Sequence, residues 1–137
     1  MNLAILHSDV QKFISANLKT EITKLILKGS PFEKVSIQEL ANQIVAKQKS
    51  EKKLPTWFST ESIYYPAKIS IEQTSSEVTA AHKLTLISGD SVIDITGGFG
   101  IDAHAFSKQF KKVVHCEIND QLSEIVDAVG DQIDVIM

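Results

Sequence analysis

The chain has 137 residues, of which 43% are hydrophobic and 23% are charged, a composition typical of a globular protein that can form a core. Its length allows one ordinary domain, or a small domain followed by part of another. The net charge of −3 excludes a strong overall attraction to nucleic acids or acidic membranes, and the single cysteine, Cys116, excludes an intramolecular disulfide.

The N-terminal segment and the apolar runs indicate where the protein is expected to reside. The first residues have neither the basic start nor the long apolar stretch of a signal peptide. No apolar run approaches the roughly 20 residues that span a bilayer. We therefore expect a cytoplasmic protein without membrane contacts, in a reducing compartment that suits a single thiol.

The first thirty residues are predicted to be helical. Apolar residues recur at spacings of three and four over residues 10–26, which indicates one amphipathic helix or two short ones. Ser8 and Gln11 have the spacing of a capping box, which predicts where this helical segment begins. Gly29 predicts where it ends.

A further helix is predicted from a second capping box, formed by Ser36 and Glu39. This helix runs through Lys53, and Pro55 is expected to end it. Four of the nine aromatic residues then follow within nine positions, namely Trp57, Phe58, Tyr64 and Tyr65. We interpret them as a connector that packs against the protein, and stacking on nucleic-acid bases is a second interpretation.

The sequence changes character near residue 65, which divides it into a helical N-terminal domain with its connector, residues 1–65, and a second domain, residues 66–137. The second domain begins with an extended segment over residues 68–72 and a helix from Ser76. Strands are then predicted at 91–95, 113–117 and 133–137, with helices at 102–109 and 120–129. This order predicts the α/β class, with a parallel βαβαβ sheet that forms part of a Rossmann-like domain. Because three strands make a thin sheet, we expect the sequence to be a truncated piece of a longer protein.

A glycine-rich turn separates the first predicted strand of this domain from the helix that follows it. Gly97, Gly98 and Gly100 stand in the turn, where glycines allow positive φ angles and let a ligand approach the backbone closely. Glu117 ends the next strand, 17 residues after Gly100, where a carboxylate can accept hydrogen bonds from ribose hydroxyls. The pattern predicts a site for a ligand that contains a nucleoside.

Two ligand classes fit this pattern. Residues 98–103 match the dinucleotide fingerprint G-x-G-x-x-[GA], which is a weak signal on its own. However, Asp94 and Thr96 stand where the strand becomes the turn, and Asp102 lies at the start of the helix, where a carboxylate would repel a pyrophosphate. S-adenosylmethionine carries a cationic sulfur and an ammonium group and has no phosphate. The acidic surroundings therefore favour S-adenosylmethionine over NAD.

The run Asp94-Ile95-Thr96-Gly97-Gly98-Phe99-Gly100 resembles motif I of class I S-adenosylmethionine-dependent methyltransferases, [D/E]-x-G-x-G-x-G, with Thr96 in place of the first glycine. Together with residues 54–57, 65–66 and 72–80, it resembles more specifically a group of bacterial RNA methyltransferases that have a THUMP-like C-terminal domain. The resemblance covers most of residues 10–125 and is most specific over residues 54–117. It implies an RNA methyltransferase in which a small N-terminal unit precedes the Rossmann-like domain.

The resemblance implies that the cofactor is bound by residues before the first strand, in the turn and at the end of the second strand. Glu117 is expected to bind the ribose and Asp94 to lie near the methionine ammonium, while the backbone of Gly98 and Gly100 contacts the sugar and the methionine. The full predicted set is Gln73, Ser75, Ser76, Glu77, Asp94, Thr96, Gly97, Gly98, Phe99, Gly100, Asp102, Glu117 and Ile118.

No catalytic residue is predicted. The resemblance places both motif IV, which holds the methyl acceptor, and the THUMP-like domain after residue 137. The chain is therefore expected to supply the cofactor-binding part of an enzyme and to be inactive alone. Other functions stay open at this point: an NAD-binding oxidoreductase fragment, a non-catalytic binding module, or a methyltransferase that acts on DNA or on a small molecule.

Two further groups of residues bear on metals and partners. His104, His115 and Cys116 lack the spacing of metal ligands, so no metal is expected. The lysine-rich region Lys47–Lys53 is a candidate contact for RNA phosphates, or a solvated helix face. The sequence predicts neither the position of the acceptor that is methylated nor the oligomeric state of the protein.

Overall fold

The computed structural model of the protein describes residues 1–127 and 133–136, with side chains through residue 126. The chain divides into two compact units, Met1–Ile71 and Glu72–Met137. The boundary predicted from the sequence, after residue 65, lies six residues earlier.

The first unit is helical. Its elements are a short 3₁₀ helix at Leu3–Leu6 and the helices α1 (Ser8–Ala16), α2 (Ile22–Lys28), α3 (Ile37–Lys53) and α4 (Pro55–Ser59). The helix α5 (Lys68–Gln73) begins in this unit and ends two residues after its last residue, Ile71. The apolar stripe of residues 10–26 thus forms two helices. Their buried side chains join those of α3 in one core, which contains Ile5, Val10, Ile14, Leu25, Val35, Leu40 and Ile44.

One of the two predicted capping boxes is present. The Ser36 hydroxyl accepts a hydrogen bond from the Glu39 N–H, and the Glu39 carboxylate accepts one from the Ser36 N–H. Such a cap stabilises a helix by about 1 kcal/mol. The predicted box at Ser8 is wrong, because His7 precedes α1 without a side-chain cap. Gln11 is buried instead, and its amide donates to the carbonyl oxygen of Ile5 at 2.8 Å.

Pro55 does not end the helical structure, although α3 does end at Lys53. It begins α4, where its fixed φ angle and missing N–H are tolerated in the first turn. Two of the connector aromatics, Trp57 and Tyr65, are buried, and the Tyr65 hydroxyl donates to the carbonyl oxygen of Trp57 at 2.8 Å. Burial raises the pKa of Tyr65 to about 12. These two aromatics therefore pack within the unit, as the first interpretation expected.

The segment 68–72, which was predicted to be extended, is helical instead. Its alternating apolar and polar residues are typical of a strand, but Ile71 is completely buried within α5. Lys53 Nζ donates to the carbonyl oxygen of Ile71 at 3.0 Å, which satisfies a carbonyl near the end of this helix. The burial of Ile71 and the hydrogen bond from Lys53 outweigh the alternating pattern of this segment. The same two contacts connect residues 68–71 to the rest of the first unit.

The second unit has the predicted alternation of helices and strands. Its elements are α6 (Glu77–Thr85), β1 (Ser91–Asp94), α7 (Ile101–Ser107), β2 (Lys112–Cys116), α8 (Asp120–Asp127) and β3 (Ile133–Ile136). The three strands form a parallel sheet in the order β1-β2-β3, so consecutive strands are neighbours and α7 and α8 connect them. The predicted mixture of helices with a parallel sheet is confirmed.

Within the described ranges, no helix is both long enough and apolar enough to cross a membrane. Across the same residues, no three His, Cys, Asp or Glu side chains are grouped as they would be around a metal ion.

Candidate cofactor-binding site

The candidate site lies where β1 and β2 end, at the carboxyl edge of the sheet. β1 ends at Asp94, and the turn that leads into α7 contains Gly97, Gly98 and Gly100 with φ angles of +46°, +80° and +76°. Gly100 precedes the first residue of α7 in a left-handed conformation. Side chains rarely adopt these angles, so the turn depends on glycine at all three positions.

The three glycines have different surroundings. A Cβ atom on Gly97 would collide with the backbone oxygen of Cys116 and the carboxylate of Glu117, and one on Gly100 would lie 3.1 Å from both methyl carbons of Val126. Gly97 and Gly100 therefore let the turn pack against β2 and α8. A Cβ on Gly98 would meet nothing within 4 Å. Of the three, Gly98 is the position where the backbone is open to a ligand.

Glu117 lies beside this turn, as expected for the residue that ends the second predicted strand, although β2 itself ends one residue earlier, at Cys116. Its Oε2 accepts a hydrogen bond from the Gly98 N–H, and its Oε1 accepts one from the Asn119 N–H at 2.6 Å. The carboxylate is half-buried. Because each carboxylate oxygen can accept two hydrogen bonds, Glu117 retains acceptor capacity for ligand hydroxyls while it is held against the turn.

Asp94 stabilises the turn through hydrogen bonds with Thr96. Its Oδ1 accepts hydrogen bonds from the backbone N–H and the hydroxyl of Thr96, at 3.0 Å and 2.8 Å, and its side chain is 5% exposed. Burial alone would raise the pKa of Asp94, but the nearby His115 imidazole and the two Thr96 groups together lower it. Thr96, which replaces the first glycine of the motif, thus supplies two donors that keep the carboxylate ionised. Asp94 faces into the protein rather than toward the open side of the turn.

Ser75, Lys83 and Asp102 form a cluster beside the first turn of α7. Asp102 Oδ2 accepts hydrogen bonds from the Ser75 hydroxyl at 2.8 Å and from Lys83 Nζ at 2.7 Å, and Lys83 Nζ also donates to the Ser75 hydroxyl at 2.9 Å. Ser75 and Asp102 were among the predicted site residues, whereas Lys83 was not, because a pair 19 residues apart on two helices has no local signature in the sequence. The Asp102 charge is compensated by Lys83, which removes much of the expected repulsion toward a pyrophosphate.

The remaining predicted residues have varied environments. The Ser76 hydroxyl accepts a hydrogen bond from the Thr79 N–H at 3.1 Å and caps α6. Phe99 is 4% exposed and packs inside the unit. Ile118 is 96% exposed next to Glu117. Gln73 is exposed and Glu77 is half-buried. Burial and Lys108 lower the pKa of His104, and the Glu77 carboxylate acts in the opposite direction.

The fold is shared with a known protein. The structure is similar to the crystal structure of a putative methyltransferase from Porphyromonas gingivalis W83, with a TM-score of 0.77 and 26% sequence identity. The match covers 98% of this chain and 34% of that chain. The chain therefore spans about a third of the length of the protein that it matches. No protein-family model and no curated protein matches the sequence.

The lysines of the region Lys47–Lys53, which was predicted as a candidate contact for RNA phosphates, differ in their exposure. Lys47 is 7% exposed, donates to the Ser15 hydroxyl at 3.1 Å and lies 5.7 Å from the centre of the Phe58 ring. Burial lowers the pKa of Lys47, with Glu61 acting in the opposite direction. Within the region Lys47–Lys53, the exposed lysines are Lys49 and Lys52.

Proposed function

We propose that this chain is the S-adenosylmethionine-binding part of a methyltransferase, with a Rossmann-like second unit. The observation that carries the proposal is the hydrogen bond between Glu117 and the Gly98 N–H. It joins the end of β2 to the open position of the glycine turn, which is the arrangement that a nucleoside ligand requires. The likeness to the Porphyromonas gingivalis protein supports the same class of activity.

The site has features that match the ribose, the sulfur and the positive charge of the proposed ligand. The ribose hydroxyls would donate to Glu117, whose carboxylate is fixed by two backbone N–H groups. The sugar and sulfur would pass over Gly98, where no side chain obstructs the backbone. The ionised Asp94 and Glu117 give the turn a negative potential that suits a cationic sulfonium.

The chemistry supplied by this cofactor is the transfer of a methyl group from a sulfonium, in which the C–S bond electrons stay on sulfur. The residues of this chain would contribute binding and orientation. Such alignment provides much of the rate enhancement for a reaction of two bound partners. Because the residues that hold the acceptor are expected elsewhere in the full-length protein, we propose that this chain is inactive alone.

We further propose that the acceptor is RNA. The support is the resemblance over residues 54–117 together with the exposed Lys49 and Lys52 in the first unit. Lys47 contributes little to this proposal, because its side chain is buried and its ammonium group donates to the Ser15 hydroxyl.

Isothermal titration calorimetry with S-adenosylhomocysteine, S-adenosylmethionine and NAD tests the function. We expect the first two to bind and Glu117→Gln to weaken both by about tenfold or more, as expected when a charged hydrogen-bond acceptor is lost. Asp90→Asn is the matched control, because Asp90 is an exposed carboxylate that precedes β1 at the opposite edge of the sheet. Binding of NAD without any response to S-adenosylhomocysteine would refute the proposal.

An NAD-binding fragment is the second candidate. The observation that favours it is the ion pair between Lys83 and Asp102, which offsets the negative charge near the G-x-G-x-x-A run. The same titration separates the two functions, because a dinucleotide site would bind NAD and a methyltransferase site would not.

A further inference from the structure

We infer that Lys83 binds the carboxylate at the amino-acid end of the ligand, with Asp102 and Ser75 as the positioning residues that hold its ammonium group. The inference rests on the proposed function and deepens it. It makes Lys83 the residue that distinguishes adenosine derivatives with an amino-acid end from those without one.

The geometry of the cluster carries this inference. Lys83 Nζ lies 2.7 Å from Asp102 Oδ2 and 2.9 Å from the Ser75 hydroxyl, which itself donates to Asp102. An ammonium group has three N–H donors, so these two bonds leave one for a further acceptor. The Lys83 side chain is 43% exposed and that of Asp102 is 13% exposed. The Asp102 side chain is therefore more deeply buried than the lysine side chain that it holds.

The cluster is also close to the turn. Asp102 is the second residue of α7, two positions after Gly100, so the ammonium that it holds lies beside the carboxyl edge of the sheet. The other described lysines of this unit are Lys108, Lys111 and Lys112. They follow α7 or begin β2, which places them near the amino-terminal ends of the strands, away from the glycine turn. Within the described part of the second unit, Lys83 is thus the lysine available to an anionic group bound at the turn.

The hydrogen bonds of Lys83 with Asp102 and Ser75 also favour ligand binding. A free lysine loses considerable side-chain entropy when it binds a ligand. Asp102 and Ser75 fix the ammonium in advance, so less of that entropy is lost on binding. Asp102 offsets part of the attraction, and the remaining selectivity comes from the direct hydrogen bond of the ammonium to the ligand carboxylate.

Two ligands test the inference on the intact chain: S-adenosylhomocysteine, which has the amino-acid end, and 5′-methylthioadenosine, which lacks it. We expect Lys83→Met to weaken binding of S-adenosylhomocysteine by about tenfold or more and to change that of 5′-methylthioadenosine by less than about twofold. Lys83→Arg keeps the charge and should retain most of the affinity. Lys111→Met is the matched control, because Lys111 forms an exposed ion pair with Asp90 at the other edge, and it should change neither affinity.

The outcomes separate the inference from the function on which it rests. If Lys83→Met weakens both ligands equally, or neither, the inference is overturned while Glu117→Gln still reports on the nucleoside site. If the unsubstituted chain binds neither ligand, the proposed function fails and the inference fails with it. Asp102→Asn provides a second variant, expected to weaken S-adenosylhomocysteine selectively because Lys83 loses its charged anchor.

Discussion

The carboxylate of Asp94 and the imidazole of His115 face each other across adjacent parallel strands. The two residues are paired in the register of β1 and β2, and Asp94 Oδ2 lies 3.8 Å from His115 Nδ1. This separation is longer than a hydrogen bond, and among the described residues neither atom has a hydrogen-bond partner. The other oxygen of Asp94 holds Thr96 in the turn. A single carboxylate therefore links the buried imidazole to the geometry of the glycine turn.

The first prediction concerns acid stability. Because the pKa of Asp94 is lowered in the folded protein, this carboxylate stabilises the fold at pH values above the usual range of an aspartate. That stabilisation is lost as the pH falls through the lower pKa of the folded state. We expect urea unfolding between pH 7 and pH 3 to show a steeper loss of stability for the unsubstituted chain than for Asp94→Asn. Equal pH dependence in the two proteins would contradict this assignment.

The second prediction concerns the partner of that carboxylate. His115 lowers the pKa of Asp94, so His115→Leu should raise the pKa of Asp94 toward the value set by burial. The carboxyl carbon shift of Asp94, followed by NMR during a pH titration, measures this directly. The unsubstituted chain, titrated under the same conditions, serves as the control. An unchanged Asp94 titration would show that the imidazole has no electrostatic effect.

Parts of this structure could be predicted because their signals are local in sequence. The apolar run that ends in glycines determines β1 and its turn, and the interval to Glu117 is set by one helix and one strand. The capping box at Ser36 likewise depends on residues three positions apart. For these features, the order of residue types is sufficient.

Other parts depend on contacts that the local pattern does not contain. Ile71 becomes part of a helix because its side chain is buried, although its neighbours alternate as in a strand. Lys83 is separated from Asp102 by 19 residues, so only the packing of α6 and α7 reveals the ion pair. In the same way, Asp94 was expected to face the ligand, whereas its hydrogen bonds to Thr96 direct it into the protein.

The third prediction separates two roles of the turn glycines, namely packing against the protein at Gly100 and access for a ligand at Gly98. Gly100→Ala should destabilise the fold by more than the roughly 1–2 kcal/mol cost of a left-handed alanine, because its Cβ would also press on Val126. Gly98→Ala has a similar φ angle but meets no neighbour, so it should cost about 1–2 kcal/mol. Urea unfolding of both variants measures the difference.

For ligand affinity, we expect the larger effect at Gly98 and not at Gly100. We expect Gly98→Ala to weaken S-adenosylhomocysteine strongly, since its methyl group would project into the open side of the turn. If Gly98→Ala leaves affinity unchanged, the ligand does not approach the backbone at that position.

The fourth prediction tests the proposed contact of the region Lys47–Lys53 with RNA. Lys49→Met and Lys52→Met should each weaken binding of a single-stranded RNA and reduce the salt dependence of the affinity by about one counterion. Lys47→Met should change neither quantity, because its ammonium is buried against Ser15 and Phe58. Filter binding at several salt concentrations measures both, and thermal unfolding confirms that each variant is folded. If Lys47→Met alone reduces the salt dependence, this helix binds RNA in a conformation that differs from the one described, since the buried ammonium would have to leave Ser15 to reach a phosphate.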